Sequence, residues 1–250
     1  MAIFSLKEVR TEQIKNINDN NFESWPESAT YGYFGGGAYP PLNPNYDVTI
    51  DRIDFSNETT SAPGYNLTQG RIAIAAVSSS SYGYFGGGFI SPPLPSTYSN
   101  RIDRIDFSNE TTLASGYNLT QGKTSMAATS SNSYGYFGGG AADANPGFTG
   151  TIERIDFSND TTSPVTDTLS QARSNLAACS SNSYGYFGGG FFNPPPIYVS
   201  TIDRIDFSNE TTSAPGYNLP QGRESLAALS SGSYGYFGGG FFTPQSISID

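Results

Sequence analysis

Five times the chain spells Tyr-Gly-Tyr-Phe-Gly-Gly-Gly, at Tyr31–Gly37, Tyr82–Gly88, Tyr134–Gly140, Tyr184–Gly190 and Tyr234–Gly240. The intervals are 51, 52, 50 and 50 residues. A second string, Arg-Ile-Asp-Phe-Ser-Asn, starts at Arg52, Arg104, Arg154 and Arg204. A unit that recurs at a fixed period is one supersecondary element that buries its apolar face only by stacking on its neighbours. Five units of about 50 fill the 250 residues, so residues 1–250 read as a single domain.

Each unit reads as four short strands. Ile72–Ser79 is an apolar run of small residues, and Tyr82–Gly87 is aromatic and ends in glycines. Thr49–Phe55 alternates, with Ile50, Arg52 and Asp54 on one face and Asp51, Ile53 and Phe55 on the other. Thr59–Ser61 follows a Ser56-Asn57-Glu58 turn. The 3.6-residue periodicity of a helical repeat is absent. The expected fold is all-β: a five-bladed β-propeller of four-stranded blades. A five-bladed ring has a narrow centre, which suits the small pairs Ala75-Ala76, Ala127-Ala128, Ala177-Ala178 and Ala227-Ala228 on the inner strands. Gly83, Gly135, Gly185 and Gly235 are expected to leave room for an aromatic ring of the adjacent blade. Arg52, Asp54 and their repeats would form a belt of ion pairs between blades.

The unit resembles a kelch blade. It has a hydrophobic strand closing in Gly-Gly (Tyr84-Phe85-Gly86-Gly87), an aromatic followed by a turn and Thr (Phe107, Thr111), and a basic residue opening a small-residue strand (Lys123, Ala127-Ala128). Arg71, Arg173 and Arg223 repeat that basic position. The outer-strand Trp of kelch units is missing: Ala62, Ala114, Pro164 and Ala214 lie near its place, and the only Trp is Trp25. The near-identical units, the aromatic-glycine signature and the opening Ser5–Pro26 also look like virion structural proteins of marine tailed phages. That likeness implies a virion or tail-associated role.

The ends of the chain complement one another. Ser248-Ile249-Asp250 matches Thr201-Ile202-Asp203, the start of a third strand that then breaks off. Phe4 precedes Tyr31 by 27 residues, as Phe55 precedes Tyr82 and Phe107 precedes Tyr134. The N- and C-terminal strands are therefore expected to pair within one blade. Such pairing closes a monomeric ring and removes two open sheet edges.

Composition removes most chemistry. The chain has no His, so Ser-His-Asp and Cys-His catalysis and His-containing metal sites are excluded. One cysteine, Cys179, makes neither an intramolecular disulfide nor a thiolate cage. A net charge of −10 disfavours nucleic acid. No apolar run has the roughly 20 residues of a membrane span, and Met1–Asn20 lacks a signal-peptide core. The Gly triplets lack the Lys-Ser/Thr of a phosphate loop. The acids Asp51, Asp103, Glu153 and Asp203 recur in every unit, as structural positions do, whereas a glycosidase uses single, unlike acids. Asn57-Glu-Thr59 and Asn66-Leu-Thr68 fit the glycosylation pattern, but these are also ordinary turn residues. The expectation is a non-enzyme with no cofactor and no metal.

The units act as their own internal comparison. Their strands are nearly identical, while the segment after each Gly triplet varies: Ala38–Ile50, Phe89–Ile102, Ala141–Ile152, Phe191–Ile202 and Phe241–Ile249, of 13, 14, 12, 12 and 9 residues. These loops carry Pro runs and the aromatics Tyr39, Tyr46, Phe89, Tyr98, Phe148, Phe191, Phe192, Tyr198, Phe241 and Phe242. Antiparallel order puts all five on one face, together with connections such as Pro63–Gly70. Aromatic anchors on stiff loops supply contact area at low entropy cost. The ten aromatics are therefore the candidate partner-binding residues, for a protein or, alternatively, for glycans at repeated equivalent sites. The competing reading is loop drift, or loops packing on each other.

Overall fold

The computed structural model describes residues 31–38, 46–90, 97–143, 147–192, 197–231 and 233–242. The chain ends and Tyr39 lie outside them, and with them the expected pairing of terminal strands. The described residues are all-β and propeller-like, with no helix among them.

Three sheets are antiparallel, four-stranded and ordered as in the sequence: Ala75–Ser78, Tyr82–Gly86, Ile102–Asp106 and Thr112–Ala114; then Ala127–Ser130, Tyr134–Gly138, Thr151–Asp156 and Thr162–Thr168; then Ala177–Ser180, Tyr184–Gly188, Ile202–Asp206 and Thr212–Ser213. Before them stands a three-stranded sheet, Tyr31–Gly37, Asp47–Asp54 and Thr59–Ser61, and after them the hairpin Ala227–Ser230 with Gly235–Gly238. These are numbered below as the first to fifth sheets, the complete ones being second, third and fourth. Register repeats: Tyr84 faces Arg104, Tyr136 faces Arg154 and Tyr186 faces Arg204.

The inner strands converge. Just ahead of each, one residue adopts a left-handed conformation: Ala73, Ser125, Asn175 and Ser225, with φ of 52–55°. Its N–H donates to the carbonyl of the equivalent residue one sheet back: Ser125 to Ala73 (3.0 Å), Asn175 to Ser125 (2.9 Å) and Ser225 to Asn175 (2.8 Å). A non-glycine left-handed residue is strained, and here the strain buys a hydrogen bond that ties sheet to sheet at the axis. The sheets therefore diverge outward as wedges.

The core lies between sheets. One cluster joins Ala75, Val77, Tyr84 and Ile102 of the second sheet to Met126, Phe137 and Ile155 of the third, and the equivalent cluster joins the third to the fourth. Two close approaches set the spacing. Phe137 of the third sheet presses on Gly86 of the second so closely that a Cβ there would stand 2.8 Å from the ring. Phe85 does the same at Gly35 (3.1 Å), Phe187 at Gly138 (2.6 Å) and Phe237 at Gly188 (2.7 Å). The glycine that receives a neighbour's ring is thus three residues beyond the expected Gly83 position. Gly135, Gly185 and Gly235 instead admit an inner-strand side chain of the preceding sheet: Val77, Thr129 and Cys179.

Charge is used twice. Arg71–Asp103 (2.6 Å), Lys123–Glu153 (2.7 Å) and Arg173–Asp203 (2.7 Å) are buried pairs that bind the entry of a sheet to its third strand. Burial pulls the Arg71 and Lys123 cations below their ordinary pKa, against the pull of their acids. The second set crosses between sheets. Arg52 pairs with Glu110 (2.5 Å), Arg154 with Glu210 (2.9 Å) and Arg104 with Asp160. Each of these acids sits in the left-handed position of the turn before a fourth strand. The expected belt of ion pairs exists, but its acid is this turn residue and not Asp54. Asp54 and its repeats are occupied locally, accepting from the serine two residues on. That local bond holds Asp54, Asp106, Asp156 and Asp206 below the ordinary carboxylate pKa.

The same turn acids accept from tyrosine hydroxyls of the preceding sheet: Tyr33 to Glu110, Tyr84 to Asp160 and Tyr136 to Glu210. Burial, then the adjacent carboxylate, pushes each of these phenols well above its ordinary pKa. The rings stack on Phe107, Phe157 and Phe207 at 5.2–5.4 Å, within 13° of parallel. One arginine, one tyrosine, one phenylalanine and one acid thus repeat at the three steps from the first sheet to the fourth.

Candidate functional site

The second strand of each sheet ends in two glycines with positive φ (66° and 105° at Gly87 and Gly88), a turn that side chains rarely allow. The chain that leaves is not an open loop. Phe89–Ile90 pairs with Thr97–Tyr98, Phe191–Phe192 with Ile197–Tyr198, and Ala142 N–H donates to the Gly147 carbonyl. The second, third and fourth variable segments are thus short hairpins. Their inner legs bridge the entry residues of the sheets: Ile72 to Phe89, Ser174 to Phe191 and Glu224 to Phe241. Because Ile72 is followed by Ala73 on the axis, the hairpins surround the axial opening. That opening is a cavity of about 190 Å³ lined by Ala73, Ser125, Met126, Asn175 and Ser225 among others. The connection Pro63–Gly70 runs beneath the outer legs on the same face, as expected. A Cβ at Gly70 would stand 2.0 Å from the Tyr46 carbonyl, and Gly122 and Gly222 meet the Tyr98 and Tyr198 carbonyls in the same way.

Seven of the ten candidate aromatics form an arc around this face. Tyr46 meets Phe89 at 6.0 Å and Phe89 meets Tyr98 at 5.8 Å. Phe148 meets Phe191 at 5.9 Å, Phe191 meets Tyr198 at 5.8 Å, and Tyr198 meets Phe241 at 5.8 Å. The one break is at Ala141, which holds the position of Phe89 and Phe191 and bridges Phe148. The rings up to Tyr198 are half-buried, while Phe241 is 55% exposed. Phe192 is half-buried and Phe242 is 39% exposed, both beside the arc, and Tyr39 lies outside the described residues. The arc therefore serves two ends. Its rings pack on one another, which is the competing reading, and leave two apolar stretches, one on each side of Ala141, open to solvent, which is the binding reading.

The chemistry of the face is sparse. Among the described residues, no group of three His, Cys, Asp or Glu side chains could hold a metal ion. The recurrent acids Asp103, Glu153 and Asp203 are buried against cations in sheet interiors. Asn57, Asn109, Asn159 and Asn209 of the glycosylation pattern accept hydrogen bonds from the threonine two residues on. Those side-chain oxygens are turn-forming groups. No helix among the described residues is long and apolar enough to cross a membrane.

Two features of the face had only faint sequence signals. The left-handed residues at the axis are of three types across the four units, so nothing in their identity marks them. Tyr65, Tyr117 and Tyr217 are 42%, 49% and 81% exposed at equivalent places, and their signal is the repeated Gly-Tyr-Asn-Leu that begins at Gly64, Gly116 and Gly216.

No family model matches the chain, and no curated protein matches it. Among solved structures it is similar to "Structure of YjhT", a propeller-type protein, with a TM-score of 0.70 and 13% identity over 85% of this chain and 74% of that one. With 251 solved chains matching, the architecture is widely shared and singles out no activity.

Proposed function

We propose that the chain is a kelch-like, five-bladed propeller whose N- and C-terminal strands pair in one blade, and that it is a non-catalytic interaction or structural module. Its setting in this reading is a phage virion or tail. The observation that carries the reading is the contrast between interior and face. The recurrent buried charges are matched inside the sheets, while the variable residues converge as an aromatic arc around the axial opening. Large rings fixed by hairpin pairing lose little entropy on binding, and a rigid scaffold presenting variable segments is a common design for recognition.

The test shortens the hairpins at Phe89–Ile102 and Phe191–Ile202 to the nine-residue form of Phe241–Ile249. The shortened chain should keep its far-ultraviolet circular dichroism and lose retention on immobilised structural proteins from disrupted tailed-phage particles. Equal retention of the two forms would count against the reading.

A second reading, a lectin-like propeller, is favoured by the exposed Tyr65, Tyr117 and Tyr217. Equivalent exposed rings suit weak stacking on sugars multiplied by avidity. On a glycan array, repeated identical weak sites that diminish in Tyr217→Ala would support it, and an array with no signal would remove it.

A further inference from the structure

The described sheet-to-sheet steps draw on one set of four contacts, all four present between the second and third and between the third and fourth sheets, and the two outermost sheets each hold one unmatched half of that set. On the fifth sheet, Gly238 has no atom within 4 Å of where its Cβ would be, whereas Gly35, Gly86, Gly138 and Gly188 each meet a phenylalanine ring at 2.6–3.1 Å. On the first sheet, Phe34 is 51% exposed, whereas its equivalents Phe85, Phe137 and Phe187 are at 0–5%. The reverse contact is split in the same way. Leu229 on the fifth sheet is 45% exposed, while its equivalents Val77, Thr129 and Cys179 are at 6–7% and fill Gly135, Gly185 and Gly235. Gly32, the equivalent glycine on the first sheet, has Phe55 and Ile53 of its own sheet as its nearest neighbours. Tyr236 is 53% exposed where Tyr84 and Tyr136 are at 0%, and Phe55 and Glu58, the counterparts of the stacked phenylalanines and the turn acids, are exposed.

We infer that the fifth sheet docks on the first within the same chain. Phe34 enters the Gly238 hollow, Leu229 fills Gly32, and Tyr236 stacks on Phe55 while its hydroxyl donates to Glu58. A repeated head-to-tail interface either closes or runs on as a filament. Closure is favoured here because the axial hydrogen bonds from Ser125 to Ala73 and onward hold the inner strands together while the outer strands splay, and because tethered faces meet at high effective concentration. The inference rests on the closed ring proposed above, but it concerns a different contact from the pairing of terminal strands.

The experiment measures melting temperature and solution mass for Phe34→Ala, Gly238→Ala and the double variant, with Gly138→Ala as the internal standard. Gly238→Ala should lower the melting temperature as Gly138→Ala does, by roughly 5–10 °C. It should become harmless in the Phe34→Ala background, because the ring it obstructs is gone. Tyr236→Phe, a change that spares the packing, and Tyr136→Phe should each lower melting by about 2–4 °C. A neutral or stabilising Gly238→Ala, the ordinary result for glycine in an open strand, would overturn the inference. So would an oligomeric wild type whose melting rises with concentration, which would place the contact between copies. Deleting residues 1–5 separates the two claims. Loss of stability on deletion without Phe34–Gly238 coupling overturns the docking alone, and coupling without an effect of deletion overturns the terminal-strand pairing alone.

Discussion

Arg104 shows how much one side chain carries here: its guanidinium lies 4.3 Å above the Tyr82 ring and pairs with Asp160 of the next sheet. At partly exposed positions such an ion pair contributes about 0–1 kcal/mol and the ring contact about 0.5–1 kcal/mol. Its value is in orienting the next sheet. The buried pairs behave differently. Arg173 and Asp203 are 0% and 1% exposed, so removing one partner strands a charge in the interior. Asp203→Ala should cost about 3–5 kcal/mol in urea unfolding, and the double replacement Arg173→Met with Asp203→Leu should recover most of it. An Asp203→Ala loss under about 1 kcal/mol would contradict this assignment. The basic and acidic positions were both legible in the sequence as recurrent residues. Their pairing was not, because partners 30–32 residues apart along the chain become neighbours only when the first and third strands of a sheet assemble.

At the scale of elements, the turn Asp106-Phe107-Ser108-Asn109-Glu110-Thr111 folds on its own side chains. Asp106 accepts from Ser108, Asn109 accepts from Thr111, and Glu110 is left in the left-handed region with its carboxylate facing the previous sheet. The serine hydroxyl and its N–H hold Asp106 below the ordinary carboxylate pKa, as they do at Asp54, Asp156 and Asp206. A carboxylate whose folded pKa is lowered stabilises the fold in full above its unfolded pKa and loses that contribution as pH falls through the folded value. Stability from these turns should therefore be level above about pH 5 and fall below about pH 4. Combining Ser56→Ala, Ser108→Ala, Ser158→Ala and Ser208→Ala should flatten that acid limb in denaturant titrations taken at successive pH values. An unchanged acid limb would show that the turns do not set it. Strand limits and this turn were readable from alternation and turn residues. The hairpin form of the variable segments was not, because their Pro-rich composition hides pairings of only two residues per leg.

For the whole molecule, the described sheets form a repeating series in which contacts reuse equivalent positions. Adding one sheet then adds a nearly constant stabilisation, and an unmatched end face forfeits one interface. If the ends meet as proposed, removing residues 1–5 should lower the melting temperature by roughly 5 °C or more, since it opens a sheet edge and loosens the last interface. An unaltered melting curve would oppose the pairing of terminal strands.

The repeat, the four-strand unit and the all-β class follow from the sequence, because alternation, turn residues and glycine punctuation act over fewer than about ten neighbouring residues. The tertiary structure alone decided which glycine receives which ring, which acid meets which arginine, and that seven variable aromatics line one face in runs of three and four. Those contacts link residues from different units or different strands. Their energy exists only once the backbones have been brought together, so no local pattern along the chain encodes them.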